Sequence, residues 1–201
     1  GIPQIYFTGC GGNIAAGKYN NATPEARDGL YRRLRAAMEN AAAATKYEPA
    51  QTVTWRTVRV QFDPITTGDL APDALKAVLE DSSRPHNARL DAAMSLAFQQ
   101  RADTPFLFTA LETGNLTLIH LPGEMAVEFQ LYAQTILPHR CVAVAAYSDC
   151  APSYVNPEVF FEEGGYEASA SLVVPESEIR VLNAIRELAG LPPEPLRNPH
   201  A

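Results

Sequence analysis

Residues 52–62 alternate between the two sides of an extended chain and are rich in β-branched side chains, which predicts a long strand ended by Pro64. A second pattern follows Thr23 and Pro24, an N-cap and first-turn pair. Leu30, Leu34, Ala37, Met38 and Ala41 then recur at helical spacing, so a helix is expected to about residue 44. Helices are also expected from Pro72 to about Glu80 and over 87–100, the latter with Leu90, Ala93, Met94 and Ala97 on its packed face. The runs 106–112 and 116–121 flank Gly114-Asn115 and read as a hairpin. Pro122-Gly123 breaks the second of these strands, and residues 124–137 read as helix. A strongly apolar strand follows over 140–147, then a loop, a short helix over 157–163 and an amphipathic helix over 176–190 that stops at Gly190. Alternating strands and helices, together with the hairpin, predict an α/β fold: a mixed sheet with flanking helices, in one domain over 1–190 with a Pro-rich tail over 191–201.

The first residues stand apart from this pattern. Ile5-Tyr6-Phe7-Thr8 reads as a buried strand that begins at once, with no Met or signal peptide before it. Such a start is expected of a fragment or a processed chain with sequence upstream. Gly9-Cys10-Gly11-Gly12-Asn13 follows as a tight turn in which the backbone can approach a ligand closely.

Composition narrows the function classes. A hydrophobic share of 46% against 19% charged residues fits a globular protein with a real core. The 16 Lys and Arg against 23 Asp and Glu give a net charge of −7, which argues against general nucleic-acid binding. No apolar run is long enough to predict a transmembrane segment. The cysteines, Cys10, Cys141 and Cys150, are too few for a disulfide scaffold; they read as small buried hydrophobes, with a Cys141–Cys150 bridge as the oxidised alternative.

Two segments hold candidate chemistry. In His120-Leu121-Pro122-Gly123-Glu124 a strand runs into a break with a carboxylate just beyond it, the place where α/β folds set side chains facing a cleft. Glu124 also suits the first turn of a helix, where it would complement the dipole. Glu128 is expected one turn on, on the same face, as a supporting carboxylate or a surface residue. His120, four residues before Glu124, is expected beside the site rather than in it. The second segment runs from Ala146 to Val155 after the most apolar strand, and Tyr166-Glu167-Ala168-Ser169 follows Tyr154 by twelve residues.

The order of these parts (strand, Pro-Gly-Glu, helix, apolar strand, Tyr154-Val155, a short acidic helix, Tyr166-Glu167-Ala168-Ser169) resembles the neutral/alkaline, non-lysosomal ceramidase superfamily, nearest its bacterial branch. The resemblance implies the C-terminal part of a larger α/β catalytic domain. It implies that Glu124 and Tyr154 are ligands of a catalytic zinc whose other two ligands are histidines upstream, in a missing N-terminal portion of the same protein. Tyr154 and Tyr166 would take part in catalysis with Asn13, while Gly11, Gly12, Lys18 and Tyr19 would line the substrate, a small-molecule or lipid amide. The resemblance also allows Tyr154 to leave the metal and hydrogen-bond a developing oxyanion. Export from the cell is implied as well. The likeness breaks at Ala15 and Asn13, which stand where the family has a catalytic serine and an aspartate. A mechanism needing that serine is excluded. Two readings follow: a zinc-dependent amide hydrolase, or an inactive relative that keeps the scaffold for binding.

Overall fold

In the computed structural model, residues 5–47, 49–50, 52–149 and 152–194 are described. They fall into two compact units, Ile14–Gln51 and the remainder, Gly1–Asn13 with Thr52–Ala201. The smaller unit is dominated by α1 (Pro24–Ala44), whose first turn is capped by Thr23 Oγ1 accepting from the Ala26 amide at 3.2 Å. No residue of α1 is buried, and Leu34 and Met38 of its apolar stripe are exposed.

The larger unit is built on a four-stranded mixed sheet, as the alternation of elements predicts. Its strands are β1 (Val53–Val60), β2 (Phe106–Thr113), β3 (Leu116–Pro122) and β5 (Cys141–Ser148), in the order β1-β2-β3-β5. The first three run antiparallel, and β2 and β3 are closed by Gly114-Asn115, with Gly114 at φ +52°. β5 lies parallel to β3 and is reached through a crossover. That crossover holds a two-residue strand, β4 (Glu124–Met125), and α4 (Val127–Ile136). β4 pairs with β6 (Tyr154–Val155) in a second small sheet. The remaining helices are α2 (Pro72–Glu80), α3 (His86–Gln100), α5 (Val159–Glu163), α6 (Tyr166–Ser169) and α7 (Ser177–Leu188).

One face of the large sheet is dry. Val60, Phe106, Phe108, Ala110, Ile119 and Val144 point to α4 and α7, which meet them with Phe129, Ala133, Val181, Ile185 and Leu188. Each fully buried side chain of this size contributes about 1.5–3 kcal/mol, so this layer dominates stability. The opposite face is open. Trp55, Leu111, Leu118 and Ala143 are successive cross-strand partners on it, and a shallow apolar depression also takes in Phe7 and Leu107. A strand buried on one side shows this alternation from sequence, whatever covers the other side.

Three expectations change. Residues 5–8 form no strand: Thr8 accepts one bond from the Ala146 amide at 2.8 Å, and Ile5, Tyr6 and Phe7 are exposed. A short run of large apolar residues signals burial only when a neighbouring strand pairs along it. On α3 the buried face is Ala92, Ser95 and Phe98, not the stripe through Leu90 and Met94, both of which are exposed. Glu124 lies in a strand rather than at the head of a helix. The tail begins as a strap: Tyr132 of α4 donates to Glu194 at 2.7 Å, and Arg186 of α7 lies 3.7 Å from the same carboxylate. Residues 195–201 lie outside the described residues, as does Cys150 with the expected Cys141–Cys150 pairing.

Candidate active site

The site grows from the carboxyl end of the parallel pair β3–β5, the edge where open α/β sheets place ligands. Gly123 ends β3 at φ +91° and is locked to β5 by two bonds: its amide donates to Ser148 O at 2.8 Å, and the Tyr147 amide donates to Gly123 O at 2.9 Å. The backbone of β4 is then claimed by β6. The Glu124 amide donates to Ser153 O at 2.8 Å and that of Ala126 to Val155 O at 3.1 Å. These bonds draw residues 124–126 out of the helix expected there. Glu128, in the first turn of α4, therefore does not share a helix face with Glu124.

The same pairing makes Glu124 and Tyr154 direct cross-strand partners, with neighbouring side chains on one face. The Glu124 carboxylate acts on both phenols: on Tyr154, its partner across β4 and β6, and on Tyr147 at the end of β5. Burial, and then the neighbouring Glu124 carboxylate, hold the Tyr154 phenol well above the ordinary tyrosine range. Burial and the Glu124 charge also raise Tyr147. Tyr166 stands edge-on to Tyr154, ring centroids 5.6 Å apart, with its own ring exposed. Ser171 Oγ donates to Tyr154 O at 2.9 Å, and buried Asn156 donates to Glu167 O at 2.9 Å. These bonds fix α6, and with it Tyr166, beside β6.

The glycine turn packs beneath this pair. The Gly12 amide donates to Met125 O at 2.9 Å, and a Cβ on Gly12 would stand 2.8 Å from Glu124 O, so only glycine fits. Asn13 Oδ1 accepts from the Val127 amide at 2.9 Å, and its Nδ2 donates to both Glu128 oxygens, at 3.1 and 2.9 Å. The structure thus joins the candidates Asn13 and Glu128 to each other at the head of α4, where the amide caps the helix. Burial pushes the Cys10 thiol up to about 12, which makes it an inert packing group. Lys18 and Tyr19 belong to the smaller unit, where Lys18 and Arg33 lie 5.4 and 5.1 Å from the Tyr19 ring centroid. His120 projects from the open sheet face, bonded to the Ser148 hydroxyl.

A cleft of about 660 Å³ opens beside Tyr154 and Tyr166. Met94, Ala97, Phe98 and Leu172 supply apolar walls, with Asp91 and Arg101 among the lining residues. No cluster of three His, Cys, Asp or Glu that could hold a metal ion occurs among the described residues. Glu124 and Tyr154 offer two adjacent oxygen donors, half of a tetrahedral shell, and the carboxylate suits zinc. The donor chemistry fits that metal, provided that two further ligands come from elsewhere. Sequence reasoning singled out neither Tyr147 nor Asn156. No periodicity marks a tyrosine that enters the left-handed region, as Tyr147 does at φ +66°.

No protein-family model and no curated protein matches the sequence. The fold does match solved structures. A ceramidase complexed with C2 superposes with a TM-score of 0.52 at 16% identity over 85% of this chain and 36% of that one. Neutral ceramidase from Pseudomonas aeruginosa superposes with a TM-score of 0.53 at 16% identity over 90% of this chain and 36% of that one. The chain thus spans about a third of the structures it matches, and what it shares with them is the fold.

Proposed function

We propose that this chain carries part of the active site of a zinc-dependent hydrolase that cleaves an N-acyl amide, with lipid amides as its substrate class. Glu124 and Tyr154 are two of the zinc ligands in this reading, and two histidines in an N-terminal portion of the same protein supply the rest. The observation that supports it is the register: Glu124 and Tyr154 face each other across β4 and β6, at the carboxyl edge of a sheet whose fold matches ceramidases.

When bound, zinc supplies a Lewis acid that lowers the pKa of water and polarises the scissile carbonyl. The residues of this chain bind and orient around it. Glu124 places negative charge at the metal position, and Tyr154 either shares that duty or turns its hydroxyl to a developing oxyanion. Tyr166, at the mouth of the cleft, presents a second phenol. Met94, Phe98 and Leu172 offer an apolar wall for an acyl chain. Asn13 holds the glycine turn in place from α4, and Gly11 and Gly12 are our candidates for orienting the substrate, whereas Lys18 and Tyr19, for which the resemblance implies the same role, lie in the smaller unit. No helix among the described residues is long and apolar enough to cross a membrane, and we assign the protein to an exported compartment on the resemblance alone.

A second reading has an observation of its own: Ala15 replaces the serine of the resembling family, as expected of a scaffold that has lost catalysis. Zinc content and hydrolysis of a fluorogenic N-acyl amide, measured on the full-length protein, separate the two. The hydrolase reading expects about one zinc per chain and turnover, both reduced by orders of magnitude in Glu124→Gln. Absence of turnover in the parent, with ceramide cleavage gained by Ala15→Ser, would establish the scaffold reading instead.

A further inference from the structure

The cleft beside Tyr154 and Tyr166 has an apolar body and few side-chain donors left for a ligand. Met94, Ala97 and Phe98 bring one side of α3 to it. Its four serines are turned to the backbone: Ser95 donates to Asp91 O at 2.9 Å, Ser153 to Ala170 O at 3.4 Å, Ser169 to Tyr166 O at 2.8 Å and Ser171 to Tyr154 O at 2.9 Å. A hydroxyl has a single proton to donate, so the side-chain donors that remain are the two phenols and the Arg101 guanidinium. Arg101 follows the last turn of α3 and is exposed. Its guanidinium lies 4.8 Å from the centroid of the buried Phe106 ring and forms no ion pair with any described residue. That cation–π contact anchors the charge and leaves the planar N–H fork unused. Asp91, the other charged residue of the lining, stands earlier on the same helix, about 15 Å away along the axis, and does not pair with it.

We propose that this cleft selects an N-acyl amide whose amine part carries a carboxylate, that is, an N-acyl amino acid, and that Arg101 is the specificity-determining residue that receives the carboxylate. The acyl chain lies along Met94, Ala97 and Phe98. The inference takes the amide of the substrate from the function proposed above, but the recognition itself needs neither metal nor reaction. It follows from the donors. A neutral, polyhydroxylated head both gives and takes hydrogen bonds, and the inward-turned serines offer it little. A carboxylate only accepts, and here it finds a fully charged fork that matches it in bidentate geometry. The chain carries 23 Asp and Glu against 16 Lys and Arg, so acids are in excess, yet none among the described residues is paired with Arg101.

The test titrates the full-length protein calorimetrically with N-dodecanoylglycine and with N-dodecanoylglycinamide, its uncharged twin. We expect the parent to bind the acid about 5- to 10-fold more tightly than the amide, between the worth of an exposed ion pair and that of a charged hydrogen bond, with the preference shrinking as salt rises. Arg101→Met keeps an unbranched stem over Phe106 and removes the charge. It should bind both ligands alike, with the amide at its parental affinity, and Arg101→Lys should restore part of the preference. Arg101→Gln replaces the methionine variant if that one does not fold. Ala97→Trp fills the apolar wall and should weaken both ligands while leaving their ratio unchanged, which locates the acyl chain. A parent that binds neither ligand or both equally, a preference that survives loss of the charge, or parental binding in Ala97→Trp would overturn the inference. Equal binding together with hydrolysis of either ligand would leave the hydrolase reading standing. A preference for the acid with neither zinc uptake nor hydrolysis would uphold the carboxylate site and overturn the hydrolase reading.

Discussion

His120 shows how a single side chain reports the layer it sits in. It projects from the open face of the sheet, half-buried, with the Ser148 hydroxyl as partner. Burial lowers its pKa below the ordinary value of 6.5, and the Asp149 charge and a bond to the Leu107 backbone only partly offset that. The unfolded chain therefore takes up this proton before the folded one does as the pH falls. His120 leaves stability unaffected well above 6.5, and the folded state loses ground from there down to the lowered folded value. Urea unfolding between about pH 7.5 and 5.5 should show this loss, and His120→Gln should show less of it. Equal slopes for the two proteins would mean that the imidazole is as well solvated when folded as when unfolded.

At the scale of elements, the strand–glycine–strand junction carries the site. Gly123 is at φ +91°, and a Cβ there would meet Pro152 Cγ at 2.7 Å and Ser153 O at 3.2 Å. Gly164, at φ +76°, has open space around it. Both positions charge an alanine for its backbone, about 1–3 kcal/mol, but only Gly123→Ala also collides. Gly123→Ala should thus lower unfolding free energy more than Gly164→Ala, and the excess should vanish if the loop around Pro152 yields freely. This junction also marks how far the sequence could be read. The hairpin, α2 and α7 announce themselves because their signals are local: a Gly-Asn turn, a Pro at the first helical turn, a final glycine. The sequence pattern puts Glu124 just beyond a strand end but reads it into a helix, because its partner is a two-residue strand thirty residues away with no periodicity of its own. The pairing of Glu124 with Tyr154 was expected from resemblance, not from pattern. Tyr147 carries no local sign at all, since nothing in Ala146-Tyr147-Ser148 foretells a left-handed tyrosine. The packed face of α3 is illegible for a different reason: Met94 lines a cleft, and an apolar cleft residue looks like a core residue in one dimension.

For the whole molecule, the sheet is unequal on its two sides. One side is sealed by α4 and α7, and the other presents a row from Trp55 through Leu111 and Leu118 to Ala143. The chain has a single tryptophan, and it stands in that row with 62% of its surface exposed. The indole is therefore an optical label that evolution has already attached to the open side. Its emission should be that of a wet indole, red-shifted and readily quenched by acrylamide, while the sealed side stays silent. Burial of the row in any larger form of the protein would move that emission to the blue and slow the quenching. A blue, protected emission from the isolated 201 residues would show that copies of the chain are covering the row themselves.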